Sequence, residues 1–401
     1  MTRSATNALL LIAAGSLYVA LRLYSGATPL HEGLGPRGPM YTSMVTAHTL
    51  RGETLGERLW PAFPLAATAI YLVTGNLVSS FQAVNFVGFL VLILAAALIL
   101  DARRAPLSVK VCALMTLTLA GWPVGTAAYS AAQPYLFGVA LTTLGVAACE
   151  TGGSRFIAAA QIASVFGSPV GVASPVFGTW RSWRLNRRRL SELFVFAPGL
   201  LVWLLIQTWA RGGPSGLRDL LRFSRVRSDV VLWTEPVFMM FGAYFLVTVV
   251  GGLTILLCSR PRWIGQFLGR QPEMWALVAV PLVFTLTGGV EAQTLVPFLI
   301  PFWLLAVGTW AHEQKSSLLA PVMLAGLLTV LTQHPWAGMD DAAYFVDWWP
   351  YSVHAARVSG ITVDDTVFNG IWRVRVLIAL GGLIACALWW RRADKESRPD
   401  G

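Results

Sequence analysis

Charged residues are scarce in this chain, and lysine is almost absent. Only 12% of the 401 residues are charged, against about 25% in soluble domains. Of the 30 basic residues, 27 are Arg and 3 are Lys, and whole stretches such as residues 59–102 contain none. Because a charge inside hydrocarbon is costly, this pattern excludes an ordinary soluble domain. It predicts an all-α polytopic membrane protein.

The chain also lacks several motifs of common chemistries. It has no GxxxxGK[ST] phosphate loop, no HExxH and no CxxC, so P-loop and zinc chemistry have no support and no resident cofactor is expected. The four cysteines are expected to be reduced. The net charge of +10 is interpreted as loop charge facing anionic lipid, so no nucleic-acid partner is predicted. No soluble domain is evident, and residues 1–401 are predicted to form one transmembrane domain.

The basic residues that are present cluster between apolar runs and predict the topology. A membrane helix needs about 20 apolar residues. About ten such helices are predicted, at residues 7–24, 80–100, 107–124, 133–149, 190–209, 233–257, 274–288, 294–311, 317–333 and 371–390. With both termini in the cytoplasm, 18 of the 30 basic residues, including every Lys, lie in cytoplasmic segments. The outer loops are then 25–60, 210–232 and 334–370, and the cytoplasmic tail is 391–401.

Two further apolar segments do not fit this alternation as simple spans. If Leu59–Gly75 crossed the membrane, the loop with Arg103 and Arg104 would lie outside the cell; the segment also contains Pro61 and Pro64. We therefore predict a helix embedded in the outer leaflet. Phe156–Trp180 has an arginine on each side and a turn sequence in its middle, so it predicts a broken hairpin bounded by the cytoplasm. The hairpin apex is expected to line a cavity; the alternative is one kinked span.

The first outer loop carries two adjacent ionisable residues, His31 and Glu32. A carboxylate held close to a membrane helix can act as a general base toward a hydroxyl group. We predict a catalytic role for Glu32, assisted by His31; the alternative is a solvated loop carboxylate.

The second outer loop contains an amphipathic pattern. Arg218, Arg222 and Arg225 follow at spacings of four and three, which places them on one face of a helix. They are predicted either to anchor the helix to anionic lipid or to bind the phosphate of a lipid-linked substrate.

The third outer loop contains paired acids and paired tryptophans. Asp340 and Asp341 could hold a divalent metal, or lie in an exposed turn. Trp348 and Trp349 could stack on sugar rings, or belong to an interfacial aromatic belt.

Taken in order, these features resemble the glycosyltransferase C superfamily, whose members use polyprenyl-phosphate-linked sugars on the outer membrane face. The resemblance rests on an outer-loop acid, a Tyr…Ala…Gly pattern, a Pro-containing embedded helix, the hairpin and a late span with prolines. The corresponding residues are Glu32, Tyr41, Ala47, Gly52, Trp60, Pro61, Pro64, Gly75, residues 156–180 and residues 291–301. The match covers about residues 5–310.

The resemblance implies transfer of a hexose or pentose from a polyprenyl-phosphate donor to a glycan, lipid or protein acceptor. It implies a location in the bacterial cytoplasmic membrane with the active face outside. Glu32 would be the base, Arg37 and the second-loop arginines would hold phosphate, and Tyr41 would contact substrate. The chain departs from the family at Gln293, where Arg or His is expected, and at the hairpin apex, which lacks a basic residue.

Two other functions remain open from the sequence. The chain could be a non-enzymatic lipid or polymer carrier, or a scaffold subunit of an envelope-assembly complex, because broken hairpins and Gly/Pro-rich spans also suit carriers. It could also be a polymerase or ligase of lipid-linked glycans that uses the same outer arginines.

Overall fold

A computed structural model describes residues 3–25, 34, 38–50, 58–119, 131–185, 194–213, 261–286 and 297–314, together with 381 and 388. All regular secondary structure in these residues is helical. The α-helices are α1 (Arg3–Ser25), α2 (Gly38–Thr46), α3 (Ala62–Thr74), α4 (Leu77–Ala102), α5 (Leu107–Leu119), α6 (Tyr135–Thr151), α7 (Ser154–Gly167), α8 (Ala173–Leu185), α9 (Ala197–Ala210), α10 (Pro261–Arg270), α11 (Ala276–Leu286) and α12 (Ile300–Gln314). Short 3-10 turns, Pro169–Val172 and Pro272–Trp275, precede α8 and α11.

The centre of the bundle is α4. Its 26 residues extend about 39 Å at 1.5 Å per residue, long enough to cross a bilayer. The helix begins at Asn76, whose side-chain oxygen accepts a hydrogen bond from the amide of Ser79 at 2.9 Å. It packs against α1, α3, α5, α6 and α12, and its buried side chains include Phe89, Leu92 and Ile99.

The segment 59–75 folds as a short helix, as predicted. Pro64 lies in the first turn of α3, where a missing amide hydrogen costs little. The helix ends at Gly75, which adopts φ of 65°, a left-handed conformation that favours glycine. Its 13 residues extend about 20 Å, too short for a span. Its depth in a bilayer stays a prediction.

The predicted hairpin at 156–180 is confirmed as the pair α7 and α8. The two helices are antiparallel: Ser174 Oγ donates to Gln161 Oε1 at 2.7 Å, and Ser164 Oγ donates to the Gly171 carbonyl at 2.7 Å. A Cβ at Gly171 would lie 2.0 Å from the Ser164 carbonyl oxygen, so the turn accepts only glycine there. The cytoplasmic location of its ends stays a prediction.

Among the described residues, the hairpin apex is packed against protein, so the expected cavity wall is not found there. Ser168, Pro169 and Val170 are fully or almost fully buried. The Trp203 indole donates a hydrogen bond to the Pro169 carbonyl at 3.0 Å, and the Ser168 hydroxyl accepts one from the Val170 amide at 3.1 Å. Irregular backbone at membrane depth is tolerated either where protein buries it or where it lines a water-filled cavity. Here the described residues bury it.

Several apolar helices present their side chains outward. Within the described residues, Ser4–Leu23 and Leu77–Ala102 are long and apolar enough to cross a membrane, and only 17% of the first stretch is buried. Large exposed side chains include Ile12 at 65% and Val73 at 87%.

The helices agree with seven predicted spans, although several are shorter than a bilayer requires. The predicted spans 233–257 and 317–333, and most of 371–390, lie outside the described residues. The total of about ten therefore stays a prediction.

Candidate functional site

The bundle has two chemically different ends. One end, here called the charged end, is where α4, α6, α8 and α12 terminate and α5 begins. It gathers charged side chains from each of these helices. The opposite end, called the aromatic end, is where α4, α6 and α12 begin, and it is lined by aromatic side chains and a few buried amides.

Glu150 is the central acid of the charged end. Its carboxylate, 4% exposed, lies 2.9 Å from Arg103 Nη2 and 2.8 Å from Arg181 Nη1. Arg103 also donates from Nη1 to Gln271 at 2.9 Å and to Thr309 at 3.2 Å. Burial lowers the pKa of Arg103, and the neighbouring Glu150 carboxylate opposes that shift. One acid thus joins α6 to the ends of α4 and α8, and through Arg103 to α12.

Further ion pairs complete this end. Lys110 Nζ lies 2.8 Å from Asp101 Oδ1 and also donates to Asn7, which connects α5, α4 and α1. Glu273, fully buried, accepts from Arg184 Nη2 at 2.6 Å. The carboxylate of Glu313 accepts from Arg270 on α10 at 2.9 Å.

This clustering is relevant to topology. The sequence assigned Arg103, Lys110, Arg181, Arg184 and Arg270 to one side of the membrane, and in the structure all five lie in the charged end. The alternation of helix directions is therefore consistent with the charge pattern. Which side is cytoplasmic stays a prediction.

At the aromatic end, α2 packs on α3, and α3 packs on α4. Tyr41 is fully buried, and its ring lies edge-on to Phe63 with centroids 5.5 Å apart. Phe63 stacks in turn on Phe81 at 5.4 Å. This aromatic column connects α2, which lies in the middle of the first outer loop, through α3 to the start of α4.

The first outer loop is also held by backbone. The amide of Ala132 donates to the carbonyl of Leu34 at 3.1 Å. The preceding residue, Ala131, accepts from Asn85 Nδ2 on α4 at 2.8 Å. Leu34 and both alanines are buried. The loop is thereby connected to the segment just before α6.

A second aromatic group surrounds Trp60, which lies just before α3. Its ring packs edge-on to Tyr135 at 5.2 Å and lies 6.1 Å from Phe298. Gly138 lies so close to both the Trp60 ring and Ser168 that no Cβ would fit, which brings the hairpin apex to the same place. Four segments therefore meet at this end: the start of α6, the residues just before α12, the hairpin apex and the first outer loop.

Most predicted site residues lie outside the described part of the chain. They are His31, Glu32, Arg37, Arg218, Arg222, Arg225, Asp340, Asp341, Trp348 and Trp349. Tyr41 is described, and its contact with substrate stays a prediction. Among the described residues no group of three His, Cys, Asp or Glu could hold a metal ion.

Sequence reasoning missed Asn85 and Glu150. The residues predicted for the site are ionisable or aromatic, whereas Asn85 is a neutral amide in an apolar run. Any polar side chain at that depth needs a partner, so this asparagine was a readable signal. Glu150 ends a span in sequence, and nothing there indicates that Arg103 and Arg181 meet it.

An apolar groove of about 330 Å³ lies between α8 and α9, lined by Val176, Thr179, Trp180, Trp183 and Leu200. No charged side chain among the described residues lines it, so it lacks the groups that bind a phosphate. The aromatic end remains the candidate site.

Comparisons with known proteins give little further information. No family model matches the chain, and no curated protein matches it. A similar solved structure is the crystal structure of ArnT from Cupriavidus metallidurans bound to undecaprenyl phosphate. The likeness has a TM-score of 0.44 and 15% sequence identity, and it covers 95% of this chain and 75% of that one. A likeness at this level establishes neither family nor activity.

Proposed function

We propose that this chain is an integral membrane glycosyltransferase that moves one sugar from a polyprenyl-phosphate donor to an acceptor on the extracytoplasmic side. The sequence resemblance suggests the reaction, and the anchored first outer loop is the observation that carries the proposal. The candidate site is the aromatic end of the bundle.

Membrane insertion is supported by the outward-facing apolar side chains. α1 is apolar, yet most of its stretch 4–23 is not covered by other parts of the described chain. Leu72 on α3 and Leu205 on α9 are 68% and 60% exposed. Soluble monomers rarely expose apolar surface over several helices, whereas lipid covers it without cost.

The anchored loop supports a role for Glu32. Leu34 is hydrogen-bonded to Ala132 beside α6. Glu32 precedes Leu34 by two residues, so chain geometry limits the separation of their α-carbons to about 7.6 Å. We propose that this restriction keeps the Glu32 carboxylate close to the aromatic end, where partial burial would favour its action as a general base.

The chemistry follows from these groups. The Glu32 carboxylate would take the proton of an acceptor hydroxyl while the oxygen of that hydroxyl forms a bond to the anomeric carbon of the donor sugar. The bond between that carbon and the donor phosphate oxygen breaks, and polyprenyl phosphate leaves with the electron pair. Arg37, Arg218, Arg222 and Arg225 would neutralise the departing phosphate.

The orientation is supported by charge. The basic residues gathered at the charged end favour the cytoplasm under the positive-inside rule. The aromatic end then faces outward, and His31, Trp348 and Trp349 are proposed to contact the acceptor or the sugar there.

Transfer from a synthetic polyprenyl-phosphate hexose and pentose in proteoliposomes tests the proposal, with released polyprenyl phosphate as the readout. We expect activity with one of the two donors and its loss in Glu32→Gln. Glu53→Gln, which changes another carboxylate of the same loop, is the matched control and should keep activity. Movement of intact donor across the bilayer without cleavage would instead indicate a lipid carrier and overturn the proposal.

A further inference from the structure

Asn85 is an amide in the apolar interior of α4. Its side chain is fully buried, and its helix neighbours Phe81, Val84 and Phe89 are fully or almost fully buried as well. An amide without hydrogen bonds is costly in such surroundings, and a hydrophobic residue would pack there at less expense. The presence of asparagine therefore calls for a specific partner.

That partner belongs to a distant segment. Asn85 Nδ2 donates to the Ala131 carbonyl at 2.8 Å across 46 residues of sequence. The next amide, that of Ala132, donates to the Leu34 carbonyl at 3.1 Å. Two successive hydrogen bonds thus run from α4 through the segment 131–132 to the first outer loop.

We propose that Asn85 is a positioning residue that holds the loop carrying Glu32 in its working place. The inference rests on the proposed function, because it assigns the loop a catalytic carboxylate. Asn85 acts through the Ala131 carbonyl and the Ala132–Leu34 hydrogen bond, and it does not itself touch the reacting atoms. The Ala132–Leu34 hydrogen bond holds the loop at Leu34, two residues after Glu32 in sequence. Asn85 holds the neighbouring residue Ala131 and thereby supports that hydrogen bond.

The carbonyl oxygen of the Asn85 side chain indicates that this residue positions the loop rather than adding to the free energy of unfolding. Asn85 Oδ1 is buried and has no hydrogen-bond partner among the described residues. An unsatisfied buried acceptor destabilises the fold, which offsets part of what the donated bond contributes. Replacement by an apolar residue of similar size should therefore change stability little while it releases the Ala131 carbonyl.

The test combines transfer kinetics with loop accessibility in the full-length protein. Gly35→Cys introduces a thiol beside Leu34, and its reaction with a membrane-impermeant maleimide reports loop mobility. Asn85→Leu in this background should speed labelling. In the parent protein it should lower kcat by about ten- to a hundredfold, the effect of a small displacement of a catalytic group, with KM for the donor little changed. Asn85→Ala is the second variant in case leucine is not accommodated.

The matched control is Gln161→Leu, which removes another fully buried side-chain amide. Gln161 on α7 donates to the Gly145 carbonyl of α6 at 3.0 Å. The control variant should leave labelling at position 35 unchanged. Equal labelling and equal kcat in Asn85→Leu and the parent, with transfer abolished by Glu32→Gln, would overturn the positioning role alone. Faster labelling in a protein that transfers no sugar would overturn the proposed function and leave the anchoring by Asn85 standing.

Discussion

Arg103 and Glu150, 47 residues apart in sequence, form an ion pair of 2.9 Å where α4 and α6 end together. Their side chains are 12% and 4% exposed, and Arg181 shares the same carboxylate. The pair joins the ends of two helices that pack closely on each other in the described part of the chain. The opposite ends of α4 and α6 carry Asn85 and Tyr135, which belong to the candidate site.

Glu150→Gln should destabilise the protein strongly. The change leaves two arginines without their carboxylate, and loss of one partner from a buried pair costs about 3 kcal/mol or more. Unfolding in detergent micelles, followed by loss of helical signal, measures the effect. Glu313→Gln is the control, because its partner Arg270 is 53% exposed and such a pair contributes less than about 1 kcal/mol. Equal losses in both variants would contradict a central role for Glu150.

Gly171→Ala should disrupt the hairpin. Its new methyl group would lie 2.0 Å from the Ser164 carbonyl oxygen, a backbone atom that cannot move aside cheaply. We expect destabilisation of about 2 kcal/mol or more, measured by the same unfolding experiment. At Gly153 no atom of the described residues lies within 4 Å of such a methyl group. Gly153→Ala should therefore be nearly neutral, and similar behaviour of the two variants would show that the tight turn is not required.

Thiol labelling in intact cells should place the two ends on opposite sides of the membrane. Thr46→Cys on α2 and Ser154→Cys at the start of α7 replace exposed residues at the aromatic and charged ends. An impermeant maleimide should label position 46 directly and position 154 only after permeabilisation. The native Cys112 is buried and Cys149 half-buried, and the parent protein measures the background of all native thiols. The reverse pattern would invert the topology and remove the extracytoplasmic site.

The double change Arg218→Ala with Arg222→Ala should weaken donor binding. If these arginines hold the donor phosphate, KM for the polyprenyl-phosphate sugar should rise about tenfold or more, because charge-assisted hydrogen bonds are among the stronger contacts. Arg51→Ala removes a positive charge from another outer loop and controls for general attraction to anionic lipid. An unchanged KM in the double variant would assign the second-loop helix to lipid anchoring.

Most of the helices were predicted from the sequence, because they are continuous apolar runs ended by Gly, Pro or charge. The helices α2 and α10 were not predicted. The hairpin was also readable, since an arginine on each side and the turn sequence 167–171 require the chain to return. Among the described residues, the apex is packed in protein and does not line the expected cavity. Sequence indicated that irregular backbone must be covered but could not show that Trp203 and Leu141 cover it.

The sequence by itself determined that the described chain is helical, the approximate positions of most of its apolar helices, and which basic residues lie at the same end of the bundle. These properties follow from local hydropathy and from the cost of charge in hydrocarbon, which act on each segment separately. Only the tertiary structure decided that Arg103 and Arg181 meet at Glu150. It also decided that Asn85 is hydrogen-bonded to Ala131, whose neighbour Ala132 is hydrogen-bonded to Leu34. Such contacts depend on the rotation and depth of helices far apart in sequence, and interhelical packing sets both.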